Sequence, residues 1–281
     1  MSRASNLHFS DYFGINASSL CYKSLWLFDM DGTIYKDDRV FDGTVESISK
    51  ITINGGQYVF ITNNSSKSTY DYINKMKALG IEADEENFFT STQATILYLN
   101  THYPGKTVYS MGTRAFIKEL QNSGIRVVID VCANIEVVLI GFDTELTSDK
   151  IRKTCEVLKK DIPYIATNPD LTCPVSFGFI PDCGAICKMI ELATCKSPTF
   201  IGKPNPVMVE FVMKKFKKNV SETVVVGDRL YTDIETGVNA NVTTVCVLTG
   251  EATPDDILFS SIKPTFTFNS IKEILSVINL S

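Results

Sequence analysis

Short apolar runs alternate with segments of helical periodicity along the whole chain. Leu25–Phe28, 58–61, Val137–Ile140, 223–226 and 244–248 are unbroken and rich in β-branched or aromatic residues. A half-exposed strand would alternate polar and apolar positions, so runs of this kind predict strands buried on both faces of a parallel sheet. Between them the spacing predicts helices with defined stops. Segment 69–79 ends at Gly80 and 113–122 ends before Gly124, each glycine followed by isoleucine as the chain re-enters a strand. The βαβα rhythm predicts an α/β fold: a doubly wound, Rossmann-like parallel sheet.

The stretch 101–199 carries its own signals, with helices predicted at 148–160 and 184–195 and strands near 107–111, 126–130, 136–141 and 163–167. It lacks the acidic strand ends found on either side. We therefore expect residues 24–100 and 200–281 to form one discontinuous core, 101–199 an inserted α/β domain, and 1–23 an extension laid on the surface or disordered.

Charge narrows the function. A net charge of −5 over 281 residues argues against nucleic acid, whose phosphates require a basic face. Lys214, Lys215, Lys217 and Lys218 are expected on the solvated face of a helix whose other face carries Val207, Phe211 and Val212. No apolar stretch is long enough to span a bilayer, and the first 23 residues do not resemble a secretory signal. The eight cysteines form no zinc-type doublets, which points to a reducing cytoplasm without disulfides. His8 and His102 lie outside every motif and are expected at the surface; Trp26 and Phe28 are expected in the core.

The chemistry gathers at strand ends. LWLF runs directly into Asp29-Met30-Asp31-Gly32-Thr33. Two carboxylates two positions apart at the end of a buried strand repel one another and lose water, unless a cation or a proton sits between them. YVFI is followed by Thr62-Asn63-Asn64, TFIG by Lys203, and VVVG by Asp228 and, five positions on, Asp233. In open parallel sheets ligands bind beyond the carboxyl ends of the strands, so the four clusters are expected to converge on one crevice.

Carboxylate oxygens suit Mg²⁺, which is usually held by one or two carboxylates plus a substrate phosphate. Lys203 and the metal would offset charge on a transferring phosphoryl group, with Thr62 and Asn63 donating hydrogen bonds to it. Asp29 is the candidate nucleophile. Asp31 is the candidate general acid and base. Asp228 is the candidate metal ligand, and Asp233 a further ligand or an orienting neighbour.

D-M-D-G-T after a strand, T-N-N after the next, G-K-P and G-D-x-x-x-T-D resemble, in that order, the four motifs of the haloacid dehalogenase superfamily. The long insert resembles the class II cap of its NagD-like, para-nitrophenyl phosphatase branch. Ala166-Thr167-Asn168-Pro169-Asp170 is similar to that cap's substrate loop, which makes Asn168 and Asp170 candidate substrate contacts. The resemblance implies Asp29 as nucleophile, Asp31 as acid/base and Lys203 as phosphate anchor. It also implies Mg²⁺ on Asp29, Asp228 and the backbone carbonyl of Asp31, and a homodimer formed through the cap.

The expected activity is hydrolysis of a small phosphomonoester: a nucleoside monophosphate, a sugar phosphate, pyridoxal phosphate or similar. The uncharged cap loop, LTCPVSFGFI, favours a neutral or aromatic leaving group. A phospho-receiver would use a similar Asp/Thr/Lys set, but in about half this length and without Asp31. A mutase would need a helical insert in the roughly 30 residues between Asp31 and Thr62, which leave no room for it.

Overall fold

The computed structural model describes residues 9–175 and 177–278; His8 lies outside them. The chain divides into two compact units. One comprises residues 1–60, 78–82 and 209–281, the other 61–77 and 83–208.

In the first unit, Leu25–Phe28 is flanked by Gln57–Thr62 on one side and Thr223–Gly227 on the other, and Thr243–Val247 and Phe266–Phe268 continue beyond the latter. All these pairings are parallel. Every residue of Leu25–Phe28 and Thr223–Gly227 is buried, which is why neither shows a period of two. The chain thus builds outward from Leu25–Phe28 in one direction and, after a long excursion, in the other. The point of reversal lies between Leu25–Phe28 and Thr223–Gly227, and the loops leaving these two strands carry Asp29 and Asp228. Trp26 and Phe28 are buried with stacked rings, as their sequence context predicts. Helices Thr44–Ile53 and Ile271–Ile278 pack against each other.

The described part of the N-terminal extension is tied down by one carboxylate. Asp11, buried, accepts hydrogen bonds from the Phe13 and Ile15 amides through Oδ1 and from the Thr267 amide through Oδ2. Tyr12 N–H donates to the Thr267 carbonyl at 2.7 Å. The segment therefore occupies part of the edge of Phe266–Phe268, which would otherwise offer free backbone groups.

The second unit has its own parallel sheet, in the order Thr199–Phe200, Tyr164–Ala166, Val137–Ile140, Thr107–Met111, Arg126–Val128. Its core combines Tyr109, Val138, Ile140, Phe142 and Tyr164 with Ile186 and Ile190. The last two lie on helix Cys183–Thr194, whose first amide is capped by Asp182. Helix Arg114–Asn122 is capped by Thr113, whose Oγ1 accepts from Phe116 N at 3.2 Å.

Two local expectations change. Residues 171–180, read as a loop, form most of an antiparallel hairpin, Thr172–Val175 with Gly178–Pro181. One side packs Cys173 and Ile180 on the core while Leu171, Phe177 and Phe179 are exposed. Helix Val207–Phe216 stops before the end of the lysine run, because Lys217 takes a left-handed φ of 53°. Lys218 then pairs with Glu222 at 3.2 Å rather than continuing a helix face. No helix among the described residues is long and apolar enough to cross a membrane.

Candidate active site

The first unit concentrates carboxylates where its two central strands end. Strand register puts Phe28 opposite Val226, and Asp29 N–H donates to the Val226 carbonyl at 2.8 Å. Asp29, Asp228 and Asp233 consequently each offer an oxygen within 4.8 Å of the others. Asp29 is half-buried; Asp228 and Asp233 are buried. Asp31 stands apart from this trio in an exposed position, its Oδ2 accepting from the Tyr35 hydroxyl at 3.3 Å.

Asp228 is held from several sides. Its Oδ2 accepts from Glu251 N at 2.8 Å, and its Oδ1 from the Thr33 hydroxyl at 3.2 Å. Burial pushes its carboxyl up to about 6, with the charge of Asp233 adding to the shift; the Glu251 amide, Arg229 and Thr33 oppose it. For Arg229, burial works against the charged form, but Asp29, Asp233 and Asp228 outweigh it and hold the guanidinium above its ordinary value. Arg229 Nε lies 3.0 Å from Glu251 Oε2 off the N–H line, an ion pair rather than a hydrogen bond. Even with this cation beside it, the Asp228 carboxyl stays above its ordinary range. Hard oxygens in this number and spacing fit a divalent cation of the Mg²⁺ type.

Three glycines make room for the cluster. A Cβ on Gly32 would lie 2.5 Å from Asp228 Oδ2, on Gly250 1.9 Å from the same atom, and on Gly227 2.2 Å from Asp233 Cβ. Gly32 also adopts φ +87°, which lets the chain turn immediately after Asp31. Asp233 sits in a wide π-helical turn, Leu230–Ile234, and its Oδ2 accepts from Arg229 N at 3.1 Å. It does not cap helix Glu235–Asn239, which has no side-chain cap.

The second unit gathers the remaining candidates. Thr62 Oγ1 accepts from Asn64 N at 3.2 Å, and Asn64 Oδ1 accepts from the amide and hydroxyl of Ser66. Lys203 is buried, and its Nζ donates to the Ile61 carbonyl at 3.3 Å. Asn63 bridges to the lysine's backbone in both directions. Its Oδ1 accepts from Lys203 N at 2.8 Å and its Nδ2 donates to Lys203 O at 2.9 Å.

Asn168 and Asp170 turn their side chains into the fold. Both are buried. Asp170 Oδ2 accepts from Asn63 Nδ2 at 2.7 Å and from Asn168 Nδ2 at 2.8 Å. Asn168 Nδ2 also reaches Asp182 Oδ1 at 3.0 Å.

Sequence reasoning missed Arg229, Glu251, Gly227 and Gly250; Asp182, in the Pro181-Asp182-Cys183-Gly184-Ala185 stretch that resembles the start of a cap helix, does cap helix Cys183–Thr194. Only Arg229 carried a signal, as a charged residue directly after a strand-end aspartate. The others depend on which loop packs against which.

The chain matches the model of the haloacid dehalogenase-like hydrolases over residues 26–126, and a HAD-hydrolase-like model over 200–274. An acid sugar phosphatase of Staphylococcus aureus is 32% identical over 91% of this chain and 97% of its own. A 4-nitrophenylphosphatase from Thermotoga maritima superimposes with a TM-score of 0.88 at 36% identity, covering 92% of this chain and 99% of that one. NagD of Escherichia coli superimposes at 0.82 with 31% identity over 89% and 98%. A glycerol phosphate phosphatase of Mycobacterium tuberculosis, in complex with magnesium, reaches 0.85 at 26% identity over 91% and 77%. The protein belongs to the haloacid dehalogenase-like hydrolases, in their NagD-like branch, and is a phosphatase. Membership in a family of hydrolases sets aside the phospho-receiver alternative.

Proposed function

We propose that this chain is a Mg²⁺-dependent phosphomonoesterase that passes the phosphoryl group through Asp29. The observation that carries the reading is the trio Asp29, Asp228 and Asp233, whose oxygens lie within 4.8 Å of one another. Such a cluster repels a phosphate dianion unless a cation intervenes. Asp29 and Asp228, with the backbone carbonyl of Asp31, would hold the metal, and Asp233 would either join them or orient Asp228. When bound, Mg²⁺ supplies positive charge to the phosphoryl oxygens.

In the first step an Asp29 carboxylate oxygen forms a bond to phosphorus as the bond to the leaving oxygen breaks, and Asp31 gives its proton to the departing alcohol. In the second, Asp31 takes a proton from water. The water oxygen bonds to phosphorus, the Asp29–phosphorus bond breaks, and inorganic phosphate leaves. The accessibility of Asp31 and its bond to the Tyr35 hydroxyl suit a group that must exchange protons. Thr62, Asn63, Asn64 and Lys203 bind the phosphoryl oxygens, Asn63 through its main chain.

A sugar phosphate or an aryl phosphate is the favoured substrate class, supported by the named relatives and by the uncharged sequence of residues 171–180. Eight free cysteines support a reducing, cytoplasmic setting. The exposed Leu171, Phe177 and Phe179 support self-association through the inserted domain, 101–199.

Purified protein should release phosphate from para-nitrophenyl phosphate and from sugar phosphates only with a divalent cation present, and Asp29→Asn should abolish this. Release at the wild-type rate by Asp29→Asn would sink the nucleophile assignment.

A further inference from the structure

The structure assigns the side chains of Asn63 and Asp170 a task other than contacting substrate: we infer that they position Lys203. The inference rests on the functional reading only in naming Lys203 as phosphate anchor. It follows from how the polar groups of the second unit are paired. Asn63 clasps the amide and carbonyl of Lys203 at 2.8 and 2.9 Å. That double contact sets the rotation of the lysine's peptide units, and so the direction in which its side chain leaves the backbone.

An asparagine amide can flip, exchanging donor and acceptor. Here the flip is blocked, because Nδ2 also donates to Asp170 Oδ2 at 2.7 Å, which accepts only. Asp170 is itself held by Asn168 at 2.8 Å, and Asn168 by Asp182 and by the Thr167 hydroxyl, whose oxygen lies 2.8 Å from Asn168 Oδ1. The chain of bonds is buried throughout: Asn168 is 0% exposed, Lys203 2%, Asp182 5%, Asp170 7% and Asn63 8%.

Space is as restricted as hydrogen bonding. A Cβ on Gly202 would meet Asn63 Oδ1 at 2.5 Å, so only glycine allows this approach immediately before the lysine. A connected buried network of this kind specifies one arrangement, and each missing member leaves another polar group buried without a partner.

The test pairs kinetics with the chemical reactivity of Lys203. Asp170→Ala removes the acceptor, while Asp170→Asn keeps an oxygen for both amides. Oδ1 has no partner among the described residues, so an NH₂ in its place breaks no bond. We expect Asp170→Ala to lower kcat/KM by at least about tenfold and Asp170→Asn by less than about threefold. In a Lys203→Ala background, Asp170→Ala should add less than about twofold, because a residue that acts through the lysine has nothing left to position.

Independently of activity, acetylation by an N-hydroxysuccinimide ester, followed by mass spectrometry, should rise at least about fivefold at Lys203 in Asp170→Ala. The exposed Lys188 should be unchanged, marking a local opening. Asn63→Ala should give the same pattern by a second route. Additive kinetic effects in the double variant, or unaltered Lys203 reactivity in whichever of Asp170→Ala and Asn63→Ala folds, would overturn the inference. A wild-type protein that hydrolyses no phosphomonoester would instead refute the functional reading, and the labelling result would still decide the positioning role.

Discussion

The carboxylate cluster of the first unit and the amide network of the second are opposite solutions to burying polar groups. Around Asp228 the fold brings three carboxylates together with one guanidinium, leaves charge in excess, and raises the Asp228 carboxyl to about 6. Around Asn63 it pairs each amide with a complementary atom, and one carboxylate oxygen each of Asp170 and Asp182 closes the chain. The first arrangement leaves carboxylates that a cation could share, so it is suited to binding and chemistry. The second pairs the amides of Asn63 and Asn168 with fixed acceptors, so it is suited to holding a group still. Stability is therefore expected to respond in opposite senses when each is disturbed.

The most severe way to break the contrast is Asp29→Asn. Turnover of para-nitrophenyl phosphate should fall by at least about 1000-fold, whereas metal-free stability should rise by about 1 kcal/mol as one repelling charge leaves. Urea titration with and without Mg²⁺ separates the two effects.

Gly250→Ala attacks the same cluster through space. Its Cβ would stand 1.9 Å from Asp228 Oδ2, so the loop or the carboxylate must move, and activity should drop by about 100-fold with a loss of about 1–3 kcal/mol. Retained metal affinity in this variant would show that the close packing on Asp228 is dispensable.

Metal removal comes next. At a Mg²⁺ concentration 100 times its dissociation constant, the unfolding free energy should rise by about 2.7 kcal/mol. Asp228→Asn should remove most of that gain. Asp170→Ala should leave it intact, since the amide network contains no metal-binding trio. Calorimetric scans across a Mg²⁺ series would check both.

The smallest effect provides a control. Glu119, half-buried on helix Arg114–Asn122, is pushed up to about 7, first by burial and then by the charge of Asp71. The same causes act on Asp228, but Glu119 belongs to no metal trio among the described residues. A carboxyl whose folded pKa is raised binds more protons when folded than when unfolded. Stability should therefore fall as pH rises from about 4.5 to about 7. Glu119→Gln should remove that slope, stabilise the protein by about 1–2 kcal/mol above pH 7, and leave activity unchanged. Mg²⁺ should not alter the slope; if it does, the carboxyl in question is in the cluster and not Glu119.

Much of the fold was legible because its strands are buried on both faces. Leu25–Phe28 and Val137–Ile140 were readable to the residue from unbroken apolar runs. The hairpin of 172–181 was not: its Pro174, Ser176 and two glycine-adjacent aromatics resemble a loop, and pairing between its halves supplied what local propensity lacked. Lys217 was misplaced for the converse reason, since a continuous helical pattern does not reveal a left-handed residue.

In the candidate site, the grouping of Asp29, Asp228 and Asp233 was legible because Asp29 and Asp228 each directly follow a buried apolar run at a strand end. Asp29, Asp31, Thr62, Lys203, Asp228 and Asp233 were identified as types of chemistry at the mouths of strands. Asn63 was legible as a candidate phosphate donor and Asn168 and Asp170 as candidate substrate contacts, but none of them for the bonds they make with one another.

The sequence by itself determined the class of fold, the order of strands and helices, and the presence of acidic, cationic and amide groups at strand ends. These depend on periodicity and on short segments, which are local. Only the tertiary structure decided that Gly227 and Gly250 leave room for Asp228 and Asp233, that Arg229 and Glu251 share their charge, and that Asn63 grips Lys203 while Asp170 prevents it from turning. Each of those outcomes joins residues far apart in the chain through contacts of a few ångströms. Such contacts are set by packing density and complete hydrogen bonding, and no local pattern records them.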